Sequence, residues 1–152
     1  MKEIQLTQGK VALVDDEDFE RLNQFKWSVY KNHKTWYASR KNKQQKILMH
    51  REIMNAPKHI QVDHRNGDGL FNCKKNLRLC THQQNQFNQK HAQKNNKLGI
   101  KGVRWRKDRK KFEAQIRFNG KAIYLGRFAV LADADQAYRV AELKHFKEFA
   151  RA

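Results

Sequence analysis

Alternating apolar and polar residues dominate the N-terminal part of the chain. This period of two predicts strands at residues 2–7, 10–15, 26–32 and 34–41. Between the second and third strands, an acidic segment predicts a short helix, capped by Asp15 or Asp16, that turns its apolar side chains toward the sheet. We expect the aromatic residues of this region to form a small core: Phe19, Phe25, Trp27, Tyr30, Trp36 and Tyr37.

The next segment changes to helical spacing and then back to extended patterns. A helix is predicted over residues 44–57 and ends at Pro57, with apolar positions Ile47, Leu48, Ile53 and Met54. Residues 60–64 predict a strand, followed by a glycine-bearing turn and a second extended segment at 76–81. Thr81 is the predicted N-cap of a helix over residues 82–91.

Residues 93–99 are polar and predict a linker to a second folded unit. Beyond the linker, three alternating segments predict strands, and Asn119-Gly120 predicts a tight hairpin between the last two. The period then becomes helical from residue 132 to 149. The fold class expected from this order is α+β: N-terminal strands, a mixed central region, then a three-stranded antiparallel sheet packed on one helix.

The charge of the chain narrows the choice of partner. The 152 residues carry a formal net charge of +18, and sixteen of the 33 lysines and arginines lie in residues 74–127, where the only acids are Asp108 and Glu113. A long segment rich in basic residues and poor in acids favours a phosphate-bearing partner. There is no long apolar run and no segment typical of a signal peptide, so we expect a soluble intracellular protein and no membrane partner.

The two cysteines, Cys73 and Cys80, are too few for a disulfide framework. A four-ligand zinc site would need two further ligands, for which His82 or His91 are available. Ordinary reduced thiols are the favoured interpretation.

The central region also carries candidate catalytic chemistry. Asp63 and His64 end a predicted strand, Asn76 follows twelve residues after His64, and Asn85 follows nine residues later on the predicted helix. If that helix packs across the strands, Asp63 and Asn85 converge as a sparse oxygen site suited to Mg²⁺. An imidazole beside such a site can take a proton from water that attacks phosphorus. These parts predict a phosphodiesterase.

The segment VDHRNGDGLFNCKKNLRLCTHQQNQFN, residues 62–88, resembles the HNH nuclease motif of phage and intron-encoded homing endonucleases. The resemblance implies a ββα-metal fold with its core at about 58–92, inside a nuclease domain at 1–92. It also implies that His64 is the general base, that Asp63 and Asn85 bind Mg²⁺ or Mn²⁺, and that Asn76 braces the loop that orients the base. LMHREIM, residues 48–54, is similar to the same family and implies DNA contacts from His50 and Arg51.

Several assignments within this motif stay open at this point. His50 either contacts a phosphate or fills a packing position. Asn88 lies one helical turn beyond Asn85 and competes with it for the metal, although the spacing favours Asn85. Turn or cap positions are expected for His82, Asn72 and Asp68, and His82 is also within reach of a scissile phosphate.

The C-terminal strands present a second candidate surface. Arg104 and Arg106 alternate with apolar residues along one strand, and Gln115 and Arg117 do so along the next, so these side chains share one face. Arginine suits guanine and glutamine suits adenine in the major groove. Residues 102–146 resemble the APETALA, or ethylene-response-factor, DNA-binding domain, which here would span 100–152. The resemblance implies DNA binding by Lys101, Arg104, Arg106, Gln115, Arg117, Tyr124 and Arg127.

The combined prediction is a metal-dependent, site-directed DNA endonuclease of the homing type, acting in the cytoplasm of a bacterial cell or phage-infected host. Its partner would be double-stranded DNA, bound by a monomer, with no small-molecule substrate. One rival prediction is a DNA-binding regulator with a silent nuclease site. A second rival is a protein that binds or cleaves RNA.

Overall fold

The computed structural model describes residues 1–32, 35–43, 45–88 and 96–150. They divide into two compact units, Met1–Gln86 and Phe87–Ala152. The architecture is mixed α+β, as predicted, with several small antiparallel sheets and a few helices. Part of the predicted linker, residues 93–95, lies outside the described residues, as do residues 89–91 at the end of the helix predicted over 82–91.

The first unit begins with a hairpin of β1 (Lys2–Gln5) and β2 (Val11–Val14), followed by α1 (Asp16–Asn23). A three-stranded antiparallel sheet then forms in the order β3 (Ser28–Asn32), β4 (Thr35–Asn42) and β5 (Gln45–Leu48). Asp15 occupies the N-cap position of α1, but its side chain makes no capping hydrogen bond. Its carboxylate instead accepts a hydrogen bond from the backbone N–H of Lys74 at 2.7 Å.

The helix predicted over residues 44–57 is wrong for its first part. Residues 45–48 form β5, because Leu48 pairs with Ser39 and Ile47 with Arg40 of β4. Only α2, Met49–Ile53, is helical here. The apolar residues that suggested one long helix are therefore divided between a strand and a single short helix.

One apolar core joins the N-terminal strands to the later elements of this unit. Its buried members are Ile4, Leu6, Ala12, Val14, Leu22, Trp27, Ala38, Met49, Ile53, Val62 and Leu77. The predicted aromatic core is only partly present, since Trp27 is 2% exposed whereas Phe25 is 41% and Tyr30 is 37% exposed. The Arg40 guanidinium lies 4.0 Å from the Phe25 ring centroid, so a cation covers that ring.

The last elements of the first unit are two paired strands and a helix. β6 (Gln61–His64) pairs antiparallel with β7 (Leu77–Cys80), and α3 (His82–Phe87) follows. Thr81 caps α3 as predicted: its hydroxyl accepts from the backbone N–H of Gln84 at 3.2 Å, while the Gln84 side chain accepts from the Thr81 N–H at 2.9 Å. This reciprocal pair is a capping box, which fixes where the helix starts.

The second unit contains the predicted three-stranded sheet and its helix. Its strands are β8 (Val103–Arg106), β9 (Lys111–Phe118) and β10 (Lys121–Phe128), with β9 in the centre. Asn119 and Gly120 connect β9 to β10 with positive φ angles of 49° and 75°, as a tight hairpin turn requires. The helix, α4, spans Leu131–Phe146.

One face of this sheet packs on α4. Val103, Ala114 and Ile116 of the sheet are buried, and α4 contributes Ala134, Tyr138, Ala141 and Phe146 to the same core. Leu143, predicted to lie on this apolar stripe, is 58% exposed instead. None of the helices in the described residues has the length and apolar character needed to cross a bilayer.

Candidate functional site

Asp63 and His64 lie side by side at the end of β6, where the cross-strand register places Asp63 opposite Arg78 and His64 opposite Leu77. Successive residues of a strand point to opposite faces. Their contacts differ accordingly. Asp63 hydrogen-bonds to the Arg78 guanidinium, whereas His64 hydrogen-bonds to a side-chain amide and packs against aromatic rings. Both side chains are buried, at 5% exposure each.

His64 is held by Asn72. The His64 Nε2 lies 3.0 Å from the Asn72 Oδ1, and the Asn72 amide nitrogen is directed to the carbonyl oxygen of Leu70 at 3.3 Å. Because an amide oxygen only accepts, this arrangement assigns the proton to Nε2. The neutral ring then has Nδ1 as its basic nitrogen. Asn72 was predicted to be a turn residue, but it is 1% exposed and contacts the candidate base directly.

The loop that carries Asn72 is fixed by backbone pairing to β2. The Leu13 N–H donates to the carbonyl of Leu70 at 2.9 Å, and the Asn72 N–H donates to the carbonyl of Leu13 at 2.7 Å. The N-terminal hairpin therefore positions the amide that contacts His64. Sequence reasoning missed this role, for which the only local signal is that Asn72 lies between the apolar residues Phe71 and Cys73.

Two further rings enclose the His64 imidazole. Its centroid lies 5.0 Å from that of His50 in an edge-to-face arrangement and 5.8 Å from that of Tyr37. Burial is the largest influence on both imidazoles: it lowers the pKa of His64, opposed by the Asn72 hydrogen bond and the Asp63 charge, and it lowers the pKa of His50 to about 3. Both rings are therefore neutral near pH 7. A neutral imidazole is the form that accepts a proton.

His50 and Arg51 have structural contacts in place of the predicted exposure to DNA. His50 is 6% exposed and packs against Tyr37 and His64, which matches the packing alternative. The Arg51 guanidinium donates to the carbonyl oxygens of Ile60 at 2.6 Å and Pro57 at 2.7 Å, and so fastens the segment that leads into β6. DNA contact by either residue stays a prediction.

Asn76 spans the loop that follows His64. Its Oδ1 accepts from the backbone N–H of Asn66 at 3.1 Å, and its Nδ2 donates to the Asn66 Oδ1 at 3.0 Å and to the carbonyl of Phe71 at 2.7 Å. The backbone of Asn76 also accepts from the Arg65 N–H. This geometry corresponds to the bracing position expected for Asn76. Asp68 is a turn residue, as expected, since its carboxylate accepts from the Leu70 N–H.

Asp63 and Asn85 are the predicted metal ligands. The Asp63 Oδ2 accepts from the Arg78 Nε at 2.7 Å, with the guanidinium and carboxylate both nearly fully buried. The Asn85 Nδ2 donates to the Gln61 Oε1 at 2.8 Å, which ties α3 to the face of β6 that Asp63 also occupies. Asn88, the competing ligand, is buried and belongs to the second unit.

The donor chemistry of this pair fits a hard cation. A carboxylate with two oxygens and a carboxamide oxygen are ligands that Mg²⁺ accepts while it keeps several waters. The Arg78 guanidinium donates a hydrogen bond to the Oδ2 of Asp63, and a carboxylate has about four acceptor positions in all. Sequence reasoning missed Arg78, because the contact depends on the register of β6 and β7.

Other possible metal donors in the described residues are compensated or protonated. The carboxylates of Asp15, Glu17 and Asp18 gather within 4.8 Å, but the Lys74 ammonium lies 2.6 Å from Glu17 and 3.4 Å from Asp18. Both cysteines are free and buried, and burial raises the pKa of each thiol to about 11. These thiols are therefore protonated at neutral pH. His91, a candidate fourth zinc ligand, lies outside the described residues.

His82, the remaining histidine of this region, is the first residue of α3. Its ring nitrogens lie 3.1 Å from the Gln61 amide nitrogen and 2.9 Å from that of Gln86. His82 is exposed and lies inside the helix, directly after the Thr81 cap, so it is not itself the cap residue.

The second unit presents the predicted polar face on the side of the sheet away from α4. Cross-strand register aligns Arg104 with Glu113 and Glu113 with Arg127, while Gln115 lies opposite Tyr124. Tyr124 is 59% exposed. Arg117 is exposed on the same face, two residues beyond Gln115 along β9. The predicted set, apart from Lys101, thus lies on three adjacent strands.

Three of the four arginines on this face form ion pairs with carboxylates. Glu113 Oε1 accepts from the Arg104 Nε at 2.9 Å, and its Oε2 accepts from the Arg127 Nε at 3.0 Å. Arg106 is bound at 3.1 Å by the exposed carboxylate of Asp108. Sequence reasoning recognised Glu113 only as part of the alternating pattern, because a bridge across three strands requires knowledge of the register.

Lys101 has internal partners instead of a place on this face. Its ammonium donates to the buried carboxylate of Glu142 at 3.1 Å and to the carbonyl of Phe87 at 3.2 Å. Glu142 belongs to α4, on the opposite side of the sheet from the arginines. The structure therefore gives Lys101 a role in fixing α4, and DNA binding by Lys101 stays a prediction.

Comparisons with known proteins add one relative. Protein 3.8 of Escherichia phage T7 is 35% identical over 65 residues, which cover 43% of this chain and 53% of the T7 protein. The chain thus spans about half the length of that curated relative. No family model and no solved structure matches the chain. The likeness is to a phage protein whose name states no activity.

Proposed function

We propose that the chain is a metal-dependent DNA endonuclease of the HNH type, in which His64 activates the attacking water. The observation that carries this proposal is the arrangement of β6, β7 and α3. It puts the Asp63 carboxylate and the buried His64 imidazole on successive residues of one strand, closes the loop that follows with Asn76, and ties Asn85 to the same strand. A strand pair followed by a helix is the order that the ββα-metal fold requires.

The proposed reaction is hydrolysis of a DNA phosphodiester. His64 takes a proton from water at Nδ1 while its Nε2–H stays bonded to Asn72. Asp63 and Asn85 would hold Mg²⁺ or Mn²⁺, which when bound supplies neutralisation of the charge that develops on the phosphate oxygens. Burial favours neutral His64 before the transfer.

The exposed sheet face of the second unit supports duplex DNA as the substrate. Four arginines and a tyrosine line this face, and guanidinium groups bind both phosphates and the guanine edge. We propose that this unit directs cleavage by binding the DNA near the cut. Tethering would raise the local concentration of the nuclease unit there.

The test is incubation of the full chain with supercoiled DNA that carries candidate phage target regions, with Mg²⁺ or with EDTA. Relaxed or linear product should require both the metal and His64, so His64→Ala should abolish it. His59→Ala is the matched control, because His59 is an exposed histidine of the same unit. Equal cleavage by wild type and His64→Ala would contradict the proposed base.

A DNA-binding regulator with a silent nuclease site is the second candidate. The observation that favours it is the buried ion pair of Asp63 with Arg78, in which a guanidinium already provides positive charge to the proposed metal ligand. The same experiment separates the two functions. A persistent mobility shift without any cleavage in Mg²⁺ would support the regulator.

A further inference from the structure

Glu113 is a buried acid in the middle of a face made otherwise of cations and neutral residues. It lies on the central strand β9, and the register places Arg104 of β8 on one side and Arg127 of β10 on the other. Each carboxylate oxygen accepts from one of the two guanidinium groups. The Glu113 side chain is 6% exposed, whereas those of Arg104 and Arg127 are 53% and 40% exposed.

The negative charge of Glu113 weakens the electrostatic attraction of this face to a polyanion. A carboxylate on a DNA-binding face repels phosphate, so a surface selected only for affinity would not contain one. Arg104 and Arg127 hold the pKa of the Glu113 carboxyl below its usual range through their hydrogen bonds. The group is therefore ionised at neutral pH. Its contribution must come from something other than net charge.

The geometry indicates that Glu113 orients the guanidinium groups of Arg104 and Arg127. An arginine side chain loses considerable rotamer freedom when it binds, and a partner that fixes the guanidinium in advance reduces that loss. Glu113 accepts from the Nε and the Nη2 of Arg104 and from the Nε of Arg127. Each terminal nitrogen carries two N–H groups, so both arginines keep N–H donors on both terminal nitrogens for a bidentate contact with the O6 and N7 of guanine, which is the contact that discriminates between base pairs.

We propose that Glu113 is a positioning residue that makes Arg104 and Arg127 the base-reading pair of this face. The proposal rests on the DNA-binding function proposed above and adds that different arginines contact bases and phosphates. Arg117, exposed on the same strand and without an ion-pair partner in the described residues, contacts phosphate instead. Sequence discrimination should therefore depend on Glu113, whereas general affinity should not.

The experiment uses the full chain in EDTA, so that DNA is bound without being cut. A selection from a randomised duplex library first defines a preferred sequence for the wild type. Dissociation constants are then measured for that duplex and for a scrambled duplex at fixed salt. Glu113→Gln, which keeps the shape and removes the charge, should bind scrambled DNA as tightly as the wild type or more tightly. It should lose about tenfold or more in the ratio of specific to scrambled affinity.

Asp135→Asn is the matched control, because it also removes one negative charge but lies on α4, behind the sheet. Its affinity ratio should stay that of the wild type. Glu113→Asp tests rescue, since a carboxylate is retained and part of the discrimination should return. Thermal unfolding of each variant identifies a loss of fold, which would lower binding to both duplexes together.

The outcomes separate the two levels of the proposal. If the wild type selects no sequence, the base-reading function fails, and the role of Glu113 fails with it. If a preferred sequence exists and Glu113→Gln strengthens binding to both duplexes equally, the arginines contact phosphates and only the Glu113 inference is overturned. A selective loss on the preferred duplex supports it.

Discussion

The pair of buried histidines should make the first unit sensitive to acid. Burial is the main reason that the pKa of His50 falls from 6.5 to about 3, and the positive charges of His64 and Arg51 lower it further. The pKa of His64 is also lowered by burial. In the unfolded chain a histidine titrates near 6.5. As the pH falls below about 6.5, the unfolded state takes up protons that the folded state excludes, so stability is lost.

The expected size of the effect follows from the His50 value. One pKa unit corresponds to about 1.4 kcal/mol, so a pKa that drops from 6.5 to about 3 sets a limit of roughly 5 kcal/mol for His50. The stability is fully present above pH 6.5 and decreases until the pH reaches about 3. Since total stabilities are about 5–15 kcal/mol, the first unit should lose a large share of its stability as the pH falls from about 6.5 toward 3.

The assay is urea unfolding of the full chain at intervals from pH 7.5 to 4, followed by tryptophan fluorescence and circular dichroism. His50→Phe keeps a ring against Tyr37 and His64 but removes the titrating group, so its free energy of unfolding should depend less steeply on pH. His59→Gln removes an exposed histidine and serves as the control. Parallel curves for the wild type and His50→Phe between pH 6.5 and 4 would refute the reasoning from burial.

Three further predictions test contacts within each unit. Thr81→Val removes the hydroxyl of the capping box and should cost about 1 kcal/mol, detected as faster amide hydrogen exchange in α3; unchanged exchange would contradict the cap. Gly102→Ala should destabilise the second unit more than Gly120→Ala, because both have positive φ but only at Gly102 would the added Cβ overlap neighbouring atoms. Equal melting temperatures would contradict that packing. Asp63→Asn should lower the free energy of unfolding by about 3–5 kcal/mol, because it removes the carboxylate charge from a buried ion pair with Arg78. A variant as stable as the wild type in urea would show that the pair contributes little.

Local chemistry explains which elements the sequence could predict. The Asn119-Gly120 hairpin and the Thr81 cap depend on residues a few positions apart, and both were predicted. β5 could not be predicted in the same way, because a run of four residues does not distinguish a period of two from one of 3.6. What decides it is pairing with β4, in which Ile47 and Leu48 take part.

The same distinction between local signals and contacts made by the fold applies to the candidate site. Asp63, His64, Asn76 and Asn85 stand out in the sequence through their spacing. Their partners do not, because Asn72 reaches His64 through a loop that β2 holds, and Arg78 reaches Asp63 through cross-strand register. The sequence thus supplies the groups that we propose carry the chemistry, and only the fold reveals the groups that contact them.

The two units handle charge in opposite ways, and each suits its proposed task. In the first unit the imidazoles are buried and kept neutral, because a general base must be unprotonated before it acts. In the second unit an acid, Glu113, is buried on the sheet face, while the two arginines that bind it reach solvent. Burial of a single acid costs little when two guanidinium groups bind it, and it converts two mobile cations into a fixed pair. Discrimination between DNA sequences would then come from restraint of two arginines in one unit, and catalysis from an imidazole that burial keeps neutral in the other.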